Sequence, residues 1–278
     1  MDKLAGALLI LLTIHSCSSF IIPIVCPPHT RQNCPNIPSS CKGCGGSCTM
    51  GGPQLEVTCS SANLPILQRN SFSSLQTVNR AIHLYLGSSH ITSIDDDAFS
   101  GIENKIERLD LTGNSLVSIP VAVGKLPNLK DLYLSGNPIR TVSDSDIARI
   151  SKSLSSLKIS LDHMLAYPPA LNKLSAWDLR LDDVPFELAD PTIFEGNRAI
   201  KSLMLIYSSK YSGRYLIPPG IVNLPSLLSV YTYGRKIPCD CSLAYLKHWD
   251  VTNVRILSPC TDGIFHVRDY IQGDLQHC

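Results

Sequence analysis

Short clusters of alternating apolar and polar residues recur through the middle of the chain. Residues 106–116 have the sequence IERLDLTGNSL and residues 129–139 have the sequence LKDLYLSGNPI, so the same apolar positions and the same asparagine return 23 residues later. Alternation over so few positions predicts a strand with one buried face, because successive strand side chains point to opposite sides. The asparagine that follows predicts a turn, since its side chain can bond nearby backbone groups.

Weaker copies of this pattern flank the two regular ones. They place strand centres at residues 57, 84, 109, 132, 157, 177, 203 and 230, with steps of 20 to 27 residues. A period in this range is typical of solenoids, in which each coil buries its apolar face only against its neighbours. The sequence therefore predicts an α/β repeat protein: a right-handed solenoid with a curved parallel sheet on its concave face, over residues 65–237.

The turn asparagine itself is present in only two coils, at Asn114 and Asn137. Other residues occupy the equivalent positions of the remaining coils: Ser89, Asp162, Asp182, Ser208 and Arg235. Serine and aspartate can still bond the local backbone, but arginine cannot do so in the same way. We therefore expect the central and C-terminal coils to be less regular, with a surface loop over residues 207–220.

The first 19 residues have the layout of a secretory signal peptide. Lys3 precedes an apolar run over residues 4–14, and small residues follow this run up to Ser19. The run is too short to cross a bilayer as a mature helix. Cleavage as a lipoprotein at Cys17 is the alternative, but the residues before Cys17 fit that signal poorly. We expect cleavage after Ser19 and a secreted, extracellular protein without a membrane span.

Ten cysteines remain after residue 19, and they lie in two groups that leave the repeats without any. The groups are Cys26, Cys34, Cys41, Cys44, Cys48 and Cys59 at the N-terminal end, and Cys239, Cys241, Cys260 and Cys278 at the C-terminal end. In an oxidising compartment such groups indicate disulfides. We therefore expect one cysteine-rich cap over residues 20–64 and another over residues 238–278. Six cysteines can pair in many ways, so the connectivity of the first cap stays open.

The C-terminal group resembles the cysteine cap that closes extracellular leucine-rich repeat proteins. The motif of that cap is C-x-C, an amphipathic helix and two further cysteines, and it matches PCDCSLAYLKHW at residues 238–249 followed by the last two cysteines. The resemblance implies the disulfide pairs Cys239–Cys260 and Cys241–Cys278. Three apolar residues at helical spacing would then cover the last coil: Leu243, Leu246 and Trp249.

A narrower resemblance is to small secreted arthropod proteins that are similar to the non-catalytic subunit of oplophorus-luciferin 2-monooxygenase. It rests on NKIERLDL at residues 104–111, on the Cys-Asp-Cys cap, on CTDG at residues 260–263 and on the final cysteine. This narrower likeness concerns architecture and does not imply light chemistry.

The N-terminal cysteine group, which ends in EVTC, is similar to the N-terminal cap of extracellular leucine-rich repeat proteins, but it has six cysteines where four are usual.

Residue types that carry chemistry do not form a catalytic pattern along this sequence. Cys41 and Cys44 have the CxxC spacing of redox or zinc sites, but a structural disulfide is the simpler interpretation in a secreted chain. The eight histidines include no HExxH pair, and residues 95–97 lack the spaced oxygen ligands of an EF-hand. The net charge of +1 offers no basic surface to nucleic acid or to an anionic membrane. We expect no enzyme activity, no cofactor and no metal.

The outward positions of the predicted strands form the candidate binding surface, where tyrosine and arginine are frequent interface anchors. We predict these ligand-contacting residues on the concave face: Tyr85, Arg108, Asp131, Tyr133, Arg180, Met204, Ile206, Tyr231 and Tyr233. The last four should form one apolar patch, which the insertion with Tyr207, Tyr211 and Tyr215 either rims or folds over and buries. The expected partner is an extracellular protein ligand. The alternative is a secreted enzyme that this chain stabilises as a non-catalytic accessory subunit.

Overall fold

The computed structural model of the protein describes residues 47–49, 54–60, 63–150, 152–261, 263 and 266–278, the first of these ranges by its backbone only. The expected signal peptide lies outside these residues. So do four cysteines of the N-terminal cap: Cys26, Cys34, Cys41 and Cys44. Cys48 is described by its backbone, whereas Cys59 is fully buried and disulfide-bonded.

The described chain is a stack of coils, and each coil contributes one short strand to a common sheet. The strands are β1 Ser47–Thr49, β2 Gln54–Thr58, β3 Ile66–Leu67, β4 Ala81–Tyr85, β5 Ser93–Ile94, β6 Ile106–Asp110, β7 Asp131–Tyr133, β8 Ser156–Ser160, β9 Asp178–Val184, β10 Ser202–Tyr207, β11 Ser229–Tyr233 and β12 Arg255–Ile256. Ten of them form one sheet in the order β1-β2-β4-β6-β7-β8-β9-β10-β11-β12, and β3 pairs separately with β5. Within the described residues, β1 pairs antiparallel with β2, and every other neighbouring pair is parallel. The predicted repeat solenoid is confirmed.

Leucines in register across the sheet build the core. One inward position runs through Leu84, Leu109, Leu132, Leu157, Leu179, Leu203 and Val230, all fully buried. These side chains belong to a single continuous hydrophobic cluster that extends into the C-terminal cap. Burial of one such side chain stabilises the fold by about 1.5–3 kcal/mol. In a solenoid each coil packs against its neighbouring coils. The alternating sequence pattern therefore fixes which side of every strand faces inward.

Short helices lie in the segments between the strands and in the C-terminal cap. The α-helices are α1 Asp144–Ile150 and α2 Val267–Gln272, and the 3₁₀-helices are Ser73–Leu75, Val121–Lys125, Pro169–Lys173, Pro219–Asn223, Cys241–Leu246 and Asp274–His277. Three of the 3₁₀-helices directly follow a proline: Pro120, Pro168 and Pro218. Proline fixes φ near the helical value, and it lacks a backbone N–H. Because the first N–H groups of a helix have no intrahelical acceptor, proline suits the start of such a turn.

The strand centre predicted at residue 177 is wrong by two residues. Trp177 lies just before β9 and is 50% exposed, whereas Leu179 pairs in register with Leu157 on one side and Leu203 on the other. The coil is therefore not shortened, because Leu179 rather than Trp177 fills the inward position that the strands share. Asp182 is consequently a strand residue rather than a turn residue, and it is buried.

Buried asparagines connect neighbouring coils, as the turn pattern predicts for Asn114 and Asn137. The Asn114 side chain accepts hydrogen bonds from the backbone N–H groups of Ser89 and Ile91, at 2.9 and 3.0 Å, and its amide donates to the carbonyl of Leu86. Without these bonds several buried backbone groups would have no partner, which proteins rarely tolerate.

A third buried asparagine, Asn197, is not predicted by the turn pattern because it precedes its strand instead of following it. Its amide donates to the Leu174 carbonyl at 2.9 Å, and its side-chain oxygen accepts from the N–H groups of Ala199 and Ile200. Asn197 thus joins two coils by the same chemistry from a different place in the repeat.

The insertion after β10 is only partly the surface loop that its length predicts. Tyr207 and Tyr211 are buried with ring centroids 4.5 Å apart, and their hydroxyls donate to the carbonyls of Leu216 and Tyr215. Buried tyrosines commonly combine an apolar ring contact with a satisfied hydroxyl in this way. Arg235 reaches the same segment, because its guanidinium donates to the Tyr211 carbonyl at 2.8 Å. The insertion is therefore anchored to the core.

Two disulfides hold the C-terminal end of the solenoid. They join Cys239 to Cys260 and Cys241 to Cys278, which is the pairing that the resemblance implies. Between them, Leu243 and Leu246 are buried on a 3₁₀-helix, and Trp249 packs against the core cluster. The last coil is therefore covered by apolar side chains, as capping of a solenoid requires.

Candidate ligand-binding face

The outward side of the main sheet carries a regular array of side chains, here called the sheet face. It comprises the outward residues of β2, β4 and β6 to β12. One row crosses eight of these strands in register: Thr58, Tyr85, Asp110, Tyr133, Lys158, Arg180, Met204 and Tyr231. All nine residues predicted as ligand contacts lie on this face.

Arg108 and Asp131 form the main ion pair of the N-terminal part of the sheet face. Two guanidinium nitrogens of Arg108, Nε and Nη2, donate to the same carboxylate oxygen of Asp131 at 2.9 and 2.7 Å. A third contact runs from Nη1 to the Tyr85 hydroxyl at 3.5 Å. Burial alone lowers the pKa of Arg108, but the hydrogen bonds to Asp131 and Tyr85 outweigh it and raise that pKa above its ordinary value.

Tyr133 is enclosed by two cations. The Lys158 ammonium lies 3.9 Å from the Tyr133 ring centroid, and the Arg108 guanidinium carbon lies 5.7 Å from it. Both distances are within the range of cation–π attraction. Burial, and after it the charge of Asp131, raises the pKa of the Tyr133 hydroxyl, so this residue stays neutral at physiological pH.

Two acidic residues of β9 are also engaged. The Ser156 hydroxyl donates to Asp178 at 2.7 Å, and Arg180 Nε donates to Asp182 at 2.6 Å. Asp182 is buried, so its carboxylate is stabilised by the ion pair with Arg180 rather than by water. The polar two-thirds of the sheet face is thus largely satisfied by its own contacts, and a ligand would have to compete with them.

His83 lies on the outward side of β4 between Glu56 and Arg108, its register neighbours. Its Nδ1 atom is buried and forms no hydrogen bond among the described residues. Burial, and after it the nearby charge of Arg108, lowers the pKa of His83 below its ordinary value. The imidazole is therefore neutral at physiological pH, and it adds no charge to this end of the sheet face.

The C-terminal third of the sheet face carries a group of apolar side chains. Met204 pairs in register with Tyr231, and Ile206 pairs with Tyr233. Neighbouring strands lie about 4.8 Å apart, so these four side chains form one contiguous surface. Tyr233 is 51% exposed and the other three are partly exposed. Tyr207 and Tyr211 of the insertion belong to the buried core.

Leu257 extends this surface, although the apolar pattern does not predict it. It follows β12, its backbone N–H donates to the Val230 carbonyl, and it is 45% exposed. Since Val230 pairs with Ile256, the next outward position beside Tyr231 is Leu257. We define the C-terminal patch as Met204, Ile206, Tyr231, Tyr233 and Leu257. The hydroxyls of Tyr231 and Tyr233 form no hydrogen bond within the described part of the chain, so they are available to a partner.

The part of the chain that the structure describes contains no candidate metal site and no candidate membrane-spanning helix. No three side chains of His, Cys, Asp or Glu are grouped there as a metal site would need. No helix in the same residues is both long and apolar enough to cross a bilayer.

Comparison with known proteins agrees with the geometry. Residues 82–139, which include β4, β6 and β7, match a family model described as leucine rich repeat. The fold is that of a leucine-rich repeat solenoid.

Curated proteins are similar to parts of this chain. An uncharacterized leucine-rich repeat-containing protein of Schizosaccharomyces pombe is 29% identical over 50% of this chain and 23% of its own length. Human leucine-rich repeats and immunoglobulin-like domains protein 3 is 37% identical over 27% of this chain and 7% of its own length. The chain therefore spans less than a quarter of either relative.

Among solved structures, an internalin from Listeria monocytogenes is similar to this chain with a TM-score of 0.50 and 22% sequence identity. The match covers 72% of this chain and 53% of the internalin. At this identity the likeness shows the fold alone, a solenoid with a parallel sheet.

Proposed function

We propose that this leucine-rich repeat protein is secreted and binds an extracellular protein ligand through its sheet face, without catalysing a reaction. The C-terminal patch is the main contact surface. The observation that carries the proposal is the register of Met204 with Tyr231 and of Ile206 with Tyr233, which joins partly exposed side chains of two strands into one surface. Contiguous apolar patches on otherwise polar proteins commonly mark interaction sites.

Two properties of the C-terminal patch support a role in recognition rather than in stability. Its tyrosines have free hydroxyls, and tyrosine offers a large contact area with few rotatable bonds. Its strands are already closed on the inner side by Leu205 and Val230, which are fully buried, so the outward side chains are not needed to seal the core.

The secreted state is proposed from the C-terminal disulfides and from the layout of the first 19 residues. Stable disulfides form mainly in oxidising compartments. We accordingly propose cleavage after Ser19, an N-terminal cap over residues 20–64, repeats over residues 65–237 and a C-terminal cap over residues 238–278. N-terminal sequencing of the protein recovered from the medium of expressing cells tests the cleavage position directly.

A capture experiment with the full secreted chain tests the binding function. The wild-type protein and the variant Tyr231→Ala/Tyr233→Ala are immobilised and exposed to the fluid from which the protein comes, and bound proteins are quantified by mass spectrometry. The variant is expected to lose a partner that the wild type retains, while its melting temperature stays nearly unchanged. Leu165→Ser is the matched control, because Leu165 is fully exposed and lies outside the strands.

The outcome also separates the two partner classes. A secreted enzyme that co-purifies at fixed stoichiometry would favour the accessory-subunit role over that of a free ligand-binding protein. A large drop in melting temperature of the tyrosine variant, with capture intact, would show that the patch serves stability and would overturn the proposal.

A further inference from the structure

Three cations border the C-terminal patch. Lys201 comes directly before β10, Arg255 begins β12, and Lys236 follows the turn after β11. All three residues are exposed. None of them forms an ion pair with a carboxylate within the described ranges of the chain.

Nearby carboxylates offset these cations only in part. Arg180 compensates the charge of Asp182, whereas Asp178 accepts a hydrogen bond only from the neutral Ser156 hydroxyl and keeps its charge. The three cations therefore outnumber the free carboxylate of Asp178, in contrast to the N-terminal part of the sheet face, where Arg108 is paired with Asp131.

The cations lie at both ends of the strands that carry the patch. Arg255 pairs in register with Ser229, which places it diagonally from Tyr231 at about 7–8 Å between backbones. Lys201 precedes Ser202, the residue beside Ser229 in the same row. Lys236 lies beyond the opposite end, three residues after Tyr233. Long side chains at these positions can reach over the edge of an apolar contact.

Resting on the proposed function, we infer that the ligand is a protein surface with an apolar centre bordered by aspartate or glutamate. The apolar centre covers the C-terminal patch, and the carboxylates meet Lys201, Arg255 and Lys236. Charge complementarity selects this partner, because unpaired cations that are brought against a neutral or basic surface lose hydration without compensation. An acidic border supplies the missing charges at the rim, where they set specificity and association rate.

A peptide array tests this chemistry with defined probes. Synthetic peptides share an apolar centre of leucine and phenylalanine and differ only in flanks of glutamate, serine or lysine. The full-length wild-type protein is expected to prefer the glutamate flanks and to lose that preference as salt is raised. The variant Lys201→Glu/Arg255→Glu is expected to bind the glutamate-flanked peptides about tenfold more weakly and to gain affinity for lysine flanks.

The matched control carries the same change in net charge away from the patch. Arg140→Glu/Lys152→Glu reverses two exposed cations that lie between β7 and β8, and it is expected to bind like the wild type. Equal melting temperatures of the two double variants show that folding is not the cause of any difference.

Three outcomes would overturn the inference. One is equal binding of glutamate-flanked and serine-flanked peptides by the wild type. Another is binding of a sulfated oligosaccharide such as heparin through the same cations, with no peptide bound. The third is loss of partner capture in Tyr231→Ala/Tyr233→Ala together with unchanged capture in Lys201→Glu/Arg255→Glu; the proposed function would then stand without an acidic partner.

Discussion

Asn114 and Asn137 share one acceptor, because the side-chain amides of both donate to the carbonyl of Leu111 at 2.8 Å. Asn114 belongs to the same coil as Leu111, and Asn137 belongs to the next. The shared carbonyl therefore links the two coils through a continuous chain of buried hydrogen bonds. Such a chain is worth more than its separate bonds, since its members orient one another.

Replacing Asn114 with alanine is expected to lower the free energy of unfolding by about 3 kcal/mol, because the N–H groups of Ser89 and Ile91 become buried without partners. Asn137→Ala is expected to cost a similar amount. The double variant should lose more than the sum of the two, since only then does the Leu111 carbonyl lose both donors. Urea unfolding monitored by circular dichroism measures all three.

Asn128→Ala is the control for this series, because Asn128 is exposed and its amide donates to the Asn104 carbonyl. Its loss should stay below about 1 kcal/mol. Equal effects of Asn128→Ala and Asn114→Ala would mean that burial of the amide does not set the cost.

Gly234 and Gly196 both have positive φ, at +89° and +76°, but their surroundings differ. A Cβ added at Gly234 would lie 2.7 Å from the Tyr207 carbonyl oxygen, whereas a Cβ at Gly196 meets nothing within 4 Å. Gly196→Ala is therefore expected to cost about 1–2 kcal/mol, which is the penalty of the left-handed conformation alone.

Gly234→Ala adds a backbone clash to the same penalty, and we expect it to lower stability by at least about 1 kcal/mol more than Gly196→Ala. Chemical denaturation of the two single variants under identical conditions measures the difference. Indistinguishable midpoints would contradict the close approach of Gly234 to β10.

The repeated inward leucines allowed most of the fold to be predicted, because burial against neighbouring coils leaves only one choice of face for each strand. The error at Trp177 has a physical reason. Trp177 and Leu179 are both apolar and two residues apart, so the pattern alone cannot distinguish which of them fills the inward position shared by Leu157. Only the register with the neighbouring coil decides, and it selects Leu179.

Less of the candidate site could be predicted from the sequence. The pairing of Met204 with Tyr231 follows from the repeat length, but Leu257 does not, because β12 contains only two residues within the cysteine cap. Whether an outward charged side chain has an ionic partner also depends on interatomic distances, which the sequence pattern does not contain. Arg180 and Lys201 are both cations in or beside a strand, yet only Arg180 forms an ion pair with a buried carboxylate, that of Asp182.

The two cap disulfides should differ in their effect on stability in an order that loop length does not predict. Cys241–Cys278 closes a separation of 37 residues and Cys239–Cys260 closes one of 21, so chain entropy gives about 3–4 kcal/mol for each, slightly more for the former. Cys260 is fully buried, however, whereas Cys241 and Cys278 are exposed.

Replacing Cys239 and Cys260 by serine therefore adds the burial of an unpaired hydroxyl, about 1–3 kcal/mol, and we expect this variant to be the less stable of the two serine variants. Alanine variants of both pairs are the control, since they carry no new polar group and should follow loop length. Thermal unfolding under non-reducing conditions measures the order, and the same ranking in both series would refute the role of burial.

The ion pair between Arg108 and Asp131 is expected to matter little for partner binding, although both were candidate contacts. Their side chains are 31% and 20% exposed, so solvent screening limits their coupling to about 1 kcal/mol or less in a double-mutant cycle of stability. Because Nε and Nη2 of Arg108 already donate to Asp131 and Nη1 contacts the Tyr85 hydroxyl, Arg108→Ala should change partner capture by no more than about twofold. Tyr231→Ala/Tyr233→Ala should abolish most capture under the same conditions, since it removes the centre of the C-terminal patch. Titration of immobilised wild-type and variant proteins with the captured partner measures both effects. If Arg108→Ala weakened binding more than the tyrosine variant did, the contact surface would lie on the N-terminal strands β4 to β7 instead.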